Sequence, residues 1–82
     1  MADESENKLI DAVGELDVAA ALAAARELMA GGLPGEEILR LLQLGMKQVG
    51  VKYENGSYFI ADLIMSGVIF RKVSELAIAE DA

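Results

Sequence analysis

The side chains of this chain that could act as acids, bases or metal ligands are nearly all carboxylates. Fourteen of the 82 residues are Asp or Glu, and none is His or Cys. The neighbouring Glu36 and Glu37 could act in acid–base chemistry or hold a metal, but a carboxylate metal site in a helical bundle needs Glu-x-x-His motifs. Without His or Cys, Ser–His–Asp and Cys–His nucleophilic sets are excluded too. We therefore expect no catalysis by the isolated chain.

The carboxylates have simpler interpretations. Glu36 and Glu37 complement the dipole at a helix start, and Asp3, Glu4 and Glu6 are predicted to form a disordered acidic start. The net charge of −7 argues against binding to nucleic acid or to anionic membranes, since both repel an acidic surface. The absence of cysteine and of a secretory signal favours the cytoplasm.

The elements that must position any site are predicted to be helices. Apolar residues make up 54% of the chain, above the usual 45–50%, and most are good helix formers. Helical spacing, with Asp17 as a cap and the pair Gly31-Gly32 as a stop, predicts helices at about 6–15, 18–30, 34–53 and 60–79. The predicted fold is all-α, a single four-helix bundle with short connections.

The fourth helix is unusual because apolar residues surround most of its first half. These are Phe59, Ile60, Leu63, Ile64, Met65, Val68, Ile69 and Phe70. They span more than the usual stripe of about 100°, so part of this helix is expected to be covered by something outside the domain.

Three glycines, Gly45, Gly50 and Gly67, lie within predicted helices. Each lowers the stability of its helix by about 1 kcal/mol relative to alanine. For Gly45 and Gly67 we predict close contact between helices. The alternative is the close approach of a bulky ligand or a partner domain.

A family resemblance follows from the order of several motifs. Residues 41–50 read Leu-Leu-Gln-Leu-Gly-Met-Lys-Gln-Val-Gly, residues 54–56 read Glu-Asn-Gly, and residues 58–63 read Tyr-Phe-Ile-Ala-Asp-Leu. A Gly-Glu-Leu-Asp turn at 14–17 precedes them. This order resembles the N-terminal helical cap domain of cobalamin-dependent (corrinoid) methyl-carrier proteins of the methylamine, methanol and methionine-synthase type. Ala61 stands where that family often has proline.

The resemblance implies a cofactor, cobalamin, whose upper face the cap covers so that the cobalt–methyl bond stays shielded. By position, Phe59 and Ile69 match the cap residues that touch this face. Tyr58, Met65, Ser66 and Phe70 are then plausible further contacts. The alternative is that Phe59 and Ile69 are ordinary core residues.

The resemblance also implies partners. Family members carry an α/β domain with an Asp-x-His-x-x-Gly motif, whose histidine binds cobalt, and they exchange methyl groups with methyltransferase subunits. This chain contains no such domain. We therefore expect it to be an excised fragment, or a cap that works with a separate corrinoid-binding partner.

A second function fits the composition equally well. The chain could be a small acidic interaction module without a cofactor, in which a two-fold interface buries Phe59, Met65, Ile69 and Phe70. Under either function we expect the isolated chain to dimerise.

Overall fold

The computed structural model describes residues 3–81, which form four α-helices and no strand. The helices are α1 (Glu4–Gly14), α2 (Val18–Ala30), α3 (Gly35–Glu54) and α4 (Ile60–Asp81). Their connections, residues 15–17, 31–34 and 55–59, are short. The predicted all-α four-helix bundle is confirmed.

Two aspartates begin the first two helices. The Asp3 carboxylate accepts the backbone N–H of Glu6 at 2.8 Å, and the Asp17 carboxylate accepts that of Ala20 at 3.0 Å. Each bond satisfies an N–H that has no partner within its helix. The prediction of a disordered start was therefore wrong, because Asp3 caps α1 and places Glu4 and Glu6 in its first turn.

The first three helices end in the same way. After each, one residue adopts the left-handed conformation, and the next backbone N–H returns to a carbonyl of the last turn, as in a Schellman motif. The left-handed residues are Leu16 (φ 61°), Gly32 (φ 100°) and Gly56 (φ 86°). Leucine pays about 1–2 kcal/mol for this conformation, and the packing of the Leu16 side chain against the core offsets part of that cost.

The helices occupy the corners of a square. α1 packs against α2 and α3, and α4 packs against the same two helices, while the diagonal pairs α1–α4 and α2–α3 touch least. Ala21 and Ala25 of α2 are fully buried, so α2 approaches its neighbours closely. The largest fully buried side chains are Leu9, Val13, Ile38, Leu41, Leu42, Val49, Ile69 and Val73.

Close contact between helices was predicted at two mid-helix glycines, Gly45 and Gly67, and is found at Gly45. A Cβ atom on Gly45 would lie 2.6 Å from the Val13 Cβ and 3.0 Å from the Ile10 carbonyl oxygen, so this glycine allows α1 and α3 to touch. A Cβ on Gly67 would meet no described atom within 4 Å beyond its own stretch of helix. Close helix contact was therefore the wrong explanation for Gly67.

Candidate functional site

The connection between α3 and α4 is tied to the end of α1. The Tyr58 hydroxyl donates to the Gly14 carbonyl at 2.7 Å. The Lys52 ammonium donates to the same carbonyl at 3.2 Å and to the Tyr58 hydroxyl at 3.4 Å. Carbonyls in the last turn of a helix lack a partner within it, so both side chains satisfy a group that α1 leaves open. These bonds fix where α4 begins.

Phe59 immediately precedes α4 and has a firmly held backbone. Its N–H donates to Asp62 Oδ2 at 2.8 Å, and its carbonyl accepts the N–H groups of Asp62 and Leu63 at 3.0 and 3.2 Å. The Asp62 carboxylate thus reaches back to the cap position, as the third residue of a capping box does. The Phe59 side chain nevertheless points outward, with 71% of its surface exposed.

Further apolar side chains are exposed in the first turns of α4. Ile60 is 62% exposed, Ile64 66% and Met65 41%. Phe59, Ile60, Ile64 and Met65 are called the apolar end below. Large exposed apolar patches are uncommon on small monomers and usually mark a binding surface. The apolar end is therefore the candidate functional site.

The structure divides the residues that the sequence placed at this site. Phe59 and Met65 lie on the surface, whereas Ile69 and Ser66 are completely buried. The Ser66 hydroxyl donates to the Leu63 carbonyl at 2.6 Å. Ile69 is thus the core residue that the alternative described, and Phe59 is not. Ile69 and Ser66 support the surface from beneath, as part of the core.

The two remaining predicted residues, Tyr58 and Phe70, are both half-buried but have different roles. Tyr58 anchors the connection, as described above. Phe70 packs against the core and lines a depression between α3 and α4. Of the six predicted residues, only Phe59 and Met65 are therefore exposed.

The sequence interpretation left Ile60 and Ile64 out of the site. A usable signal was present, since Arg71 and Glu75 mark the polar side of the second half of α4. Counting back from Arg71 by seven and eleven residues, two and three helical turns, leads along the same side to Ile64 and Ile60, and eleven residues back from Glu75 is again Ile64. Apolar residues on the solvent side of a helix indicate a covered surface.

The chemistry available at the apolar end is the exclusion of water. The described residues contain no group of His, Cys, Asp or Glu able to hold a metal ion.

Away from this end, Glu37 accepts a hydrogen bond from Arg40 Nε at 2.7 Å, and this contact raises the pKa of Arg40. Glu37 is thus engaged in an ion pair. Within the described residues, no helix is long and apolar enough to cross a membrane.

Comparison with known proteins gives a family match over most of the chain. The family model described as the B12 binding domain matches residues 5–77. Monomethylamine corrinoid protein 2 of Methanosarcina barkeri is 35% identical over 75 residues, and Monomethylamine corrinoid protein 1 of the same organism is 33% identical over 75 residues. Each alignment covers 90% of this chain and 35% of the relative.

The comparison with solved structures gives no significant match. The chain spans about a third of the length of the curated relatives it matches (35%). The family match covers far more than half of the chain. This chain therefore belongs to the B12 binding domain family, the helical cap domain of corrinoid proteins.

Proposed function

We propose that this chain is the cap module of a corrinoid methyl-carrier protein and that it shields the upper face of cobalamin during methyl transfer. The observation that carries the proposal is the apolar end, where Phe59, Ile60 and Ile64 are each more than 60% exposed within the stretch matched to the family. A chain that belongs to a cofactor-binding family and exposes large apolar side chains is suited to cover a flat, weakly polar surface.

The residues of the apolar end fit such a role. Phe59, Ile64 and Met65 offer bulk and exclude water, and the phenyl and branched alkyl groups carry no donor that could compete for the metal. Cobalamin supplies a cobalt-bound methyl group, which is best kept dry until transfer. The hydrogen bonds of Tyr58 and Asp62 hold the backbone on both sides of Phe59, so the wall is positioned before the cofactor arrives.

The remaining machinery lies outside this chain. With no His in 82 residues, the chain has no imidazole to bind cobalt from below. The proposed partners are a corrinoid-binding α/β domain of the same protein and methyltransferase subunits. Movement of the cap away from the cofactor would then expose the methyl group for transfer. The proposed location is the cytoplasm.

A chimera tests this proposal. This chain replaces the matched segment of Monomethylamine corrinoid protein 2, and the protein is loaded with methylcobalamin. The measurement is the net rate at which methylcobalamin is lost under light, because a close apolar wall confines the separated methyl group and favours its return to cobalt. Phe59→Ala is expected to increase this rate several-fold. The matched control is Ile78→Ala, since Ile78 is 63% exposed at the other end of α4.

Equal rates for the parent chimera, Phe59→Ala and Ile78→Ala would contradict the proposal. Circular dichroism of each variant shows whether the bundle is intact. A photolysis rate equal to that of free methylcobalamin in the parent chimera would also count against a shielding role.

The same exposed surface supports a second candidate function. Without a cofactor, the apolar end could bury itself against a second copy of the chain, which would make the chain a small acidic homodimerisation module. Sedimentation of the isolated chain tests this second function, and the photolysis of the chimera tests the first. In this second case Phe59→Ala weakens self-association, and a chain that stays monomeric at high concentration contradicts it.

A further inference from the structure

A mainly apolar groove lies between α3 and α4, farther than the apolar end from the connection that joins the two helices. Its volume is about 560 Å³, and it is lined by Gln43, Met46, Lys47, Gly67, Phe70 and Arg71. These six residues define the α3–α4 groove. Met46 and Phe70 are half-buried and pack against the core, so the base of the groove is anchored. No residue of the apolar end lines it.

Gly67 keeps this groove open. It lies within α4 and is exposed, and no described atom beyond its own stretch of helix lies within 4 Å of the place where a Cβ would be. Packing within the domain thus gives no reason for a residue that weakens the helix. A missing side chain does allow another backbone to approach α4 closely.

Two cations flank the groove, one from each helix. Lys47 lies on α3 and Arg71 on α4, and among the described residues neither forms an ion pair. Arg40 and Lys52 differ, since Arg40 pairs with Glu37 and Lys52 bonds to the Gly14 carbonyl. Charges are screened beyond about 8 Å at physiological salt. A carboxylate at the groove would therefore respond to Lys47 and Arg71 more than to the net charge of the chain.

We propose that the α3–α4 groove is the docking site for an acidic amphipathic helix of a partner protein. An apolar side chain of that helix packs on Met46 and Phe70, its backbone crosses α4 at Gly67, and its carboxylates pair with Lys47 and Arg71. A helix laid in an apolar groove is a common recognition mode. A second copy docked groove to groove is disfavoured, because a two-fold axis would bring the same cations together.

The proposal does not depend on cobalamin, so its test uses the cofactor-free 82-residue chain. The probe is a fluorescent synthetic helix of about 18 residues, long enough to be helical. It is built from Ala, Leu and Glu, with Leu on one face and Glu flanking it. A matched peptide carries Lys in place of Glu. Amide chemical shifts are expected to move around Gln43, Lys47, Gly67 and Arg71.

Two charge variants give a controlled comparison. Lys47→Glu/Arg71→Glu is expected to weaken binding of the Glu peptide by about tenfold or more, because like charges then face each other. Lys8→Glu/Arg26→Glu changes the net charge by the same amount at exposed residues of α1 and α2, and is expected to leave the affinity within about twofold. Similar losses in both double variants would overturn the proposal.

A steric variant tests the same site without changing charge. Gly67→Leu fills the groove, and the free space around Gly67 allows α4 to remain folded. Binding of the Glu peptide is expected to be lost although the melting temperature stays the same or rises, because leucine is a better helix former than glycine.

Several results would overturn the proposal. These are retained binding in Gly67→Leu, equal binding of the Lys peptide, and shifts centred on residues 59–65. Self-association of the chain that Lys47→Glu/Arg71→Glu abolishes would assign the groove to a second copy instead. Failure of these binding tests leaves the photolysis result for the apolar end untouched, so the two proposals fail separately.

Discussion

Gly45 in α3 and Gly67 in α4 are both mid-helix glycines, yet their surroundings differ. Gly45 is buried beneath Val13 and the Ile10 carbonyl of α1, and has no room for a methyl group. Gly67 is exposed at the α3–α4 groove and has room for one. Each costs about 1 kcal/mol as a helix residue. Around Gly45, which we call the closed region, this loss of helix stability allows two helices to touch. Around Gly67, which we call the open region, no contact within the described structure offsets the loss.

The contrast extends to the helices themselves. α1 and the first part of α3 turn their large apolar residues toward the core, as the burial of Leu9, Val13, Ile38 and Leu41 shows, whereas Val51 in the last turn of α3 is 61% exposed. α4 contributes Ile69 and Val73 to the same core but also exposes its apolar end. Gly67 and the exposed apolar residues of α4 are therefore candidates for outside contact, whereas Gly45 in α3 serves the fold.

The largest expected effect is at the closed contact. Gly45→Ala should destabilise the domain by about 2 kcal/mol, because its methyl group overlaps a fully buried Val13 and a backbone carbonyl. Chemical denaturation followed by circular dichroism measures this. Combined with Val13→Ala, it should cost less than the sum of the two single changes. A Gly45→Ala domain as stable as the parent would contradict the tight contact.

The next largest effect concerns the hydrogen bond that ties the start of α4 to the end of α1. Tyr58→Phe removes the hydrogen bond to the Gly14 carbonyl and should cost about 1 kcal/mol, since Lys52 still donates to that carbonyl. Denaturation midpoints measure the loss. Tyr53→Phe is the matched control, because the described residues offer the Tyr53 hydroxyl no hydrogen bond. Equal midpoints for both variants would show that the anchor contributes nothing.

The open region should respond in the opposite direction. Gly67→Ala is expected to stabilise the domain by about 1 kcal/mol through helix propensity alone, which raises the melting temperature by about 4–8 °C for a domain of this size. Gly50→Ala should act in the same direction, because a Cβ at Gly50 also meets no described atom beyond its local helix. A lower melting temperature for Gly67→Ala would mean that the groove is closed in solution.

The smallest effect should come from the cations of the groove. Lys47→Gln and Arg71→Gln are expected to change the free energy of unfolding by less than about 0.5 kcal/mol, because neither side chain forms an ion pair within the described residues. Thermal unfolding at low and high salt checks this. A clear loss of stability would assign these residues to the fold and weaken the docking proposal.

Much of the fold could be predicted from the sequence because its signals are local. Asp17 caps α2 and glycines lie at the ends of α2 and α3, and each signal acts within a few residues. The boundaries of α2 agree with the predicted ones, and those of the other helices differ from them by at most two residues. At α1 the reason is specific, since Asp3 caps a helix that was expected to begin at Glu6.

The residues predicted for the candidate site differ in their burial. The exposed position of Phe59 agrees with a surface role, but Ile69 lies in the core, and Ile60 and Ile64 were not selected. The periodicity of α4 cannot choose among them, because apolar residues occur on nearly all sides of its first half. Only the positions of α2 and α3 show which side is covered.

The helical class, the turns at Gly32 and Gly56, and the lack of imidazole and thiol groups follow from the sequence alone, because they depend on composition or on interactions between near neighbours. Which apolar side chains of α4 are exposed, and which mid-helix glycine touches another helix, depends on how the four helices pack. The physical reason is that apolar burial has no preferred direction of its own, so its direction is set by the helices that pack alongside.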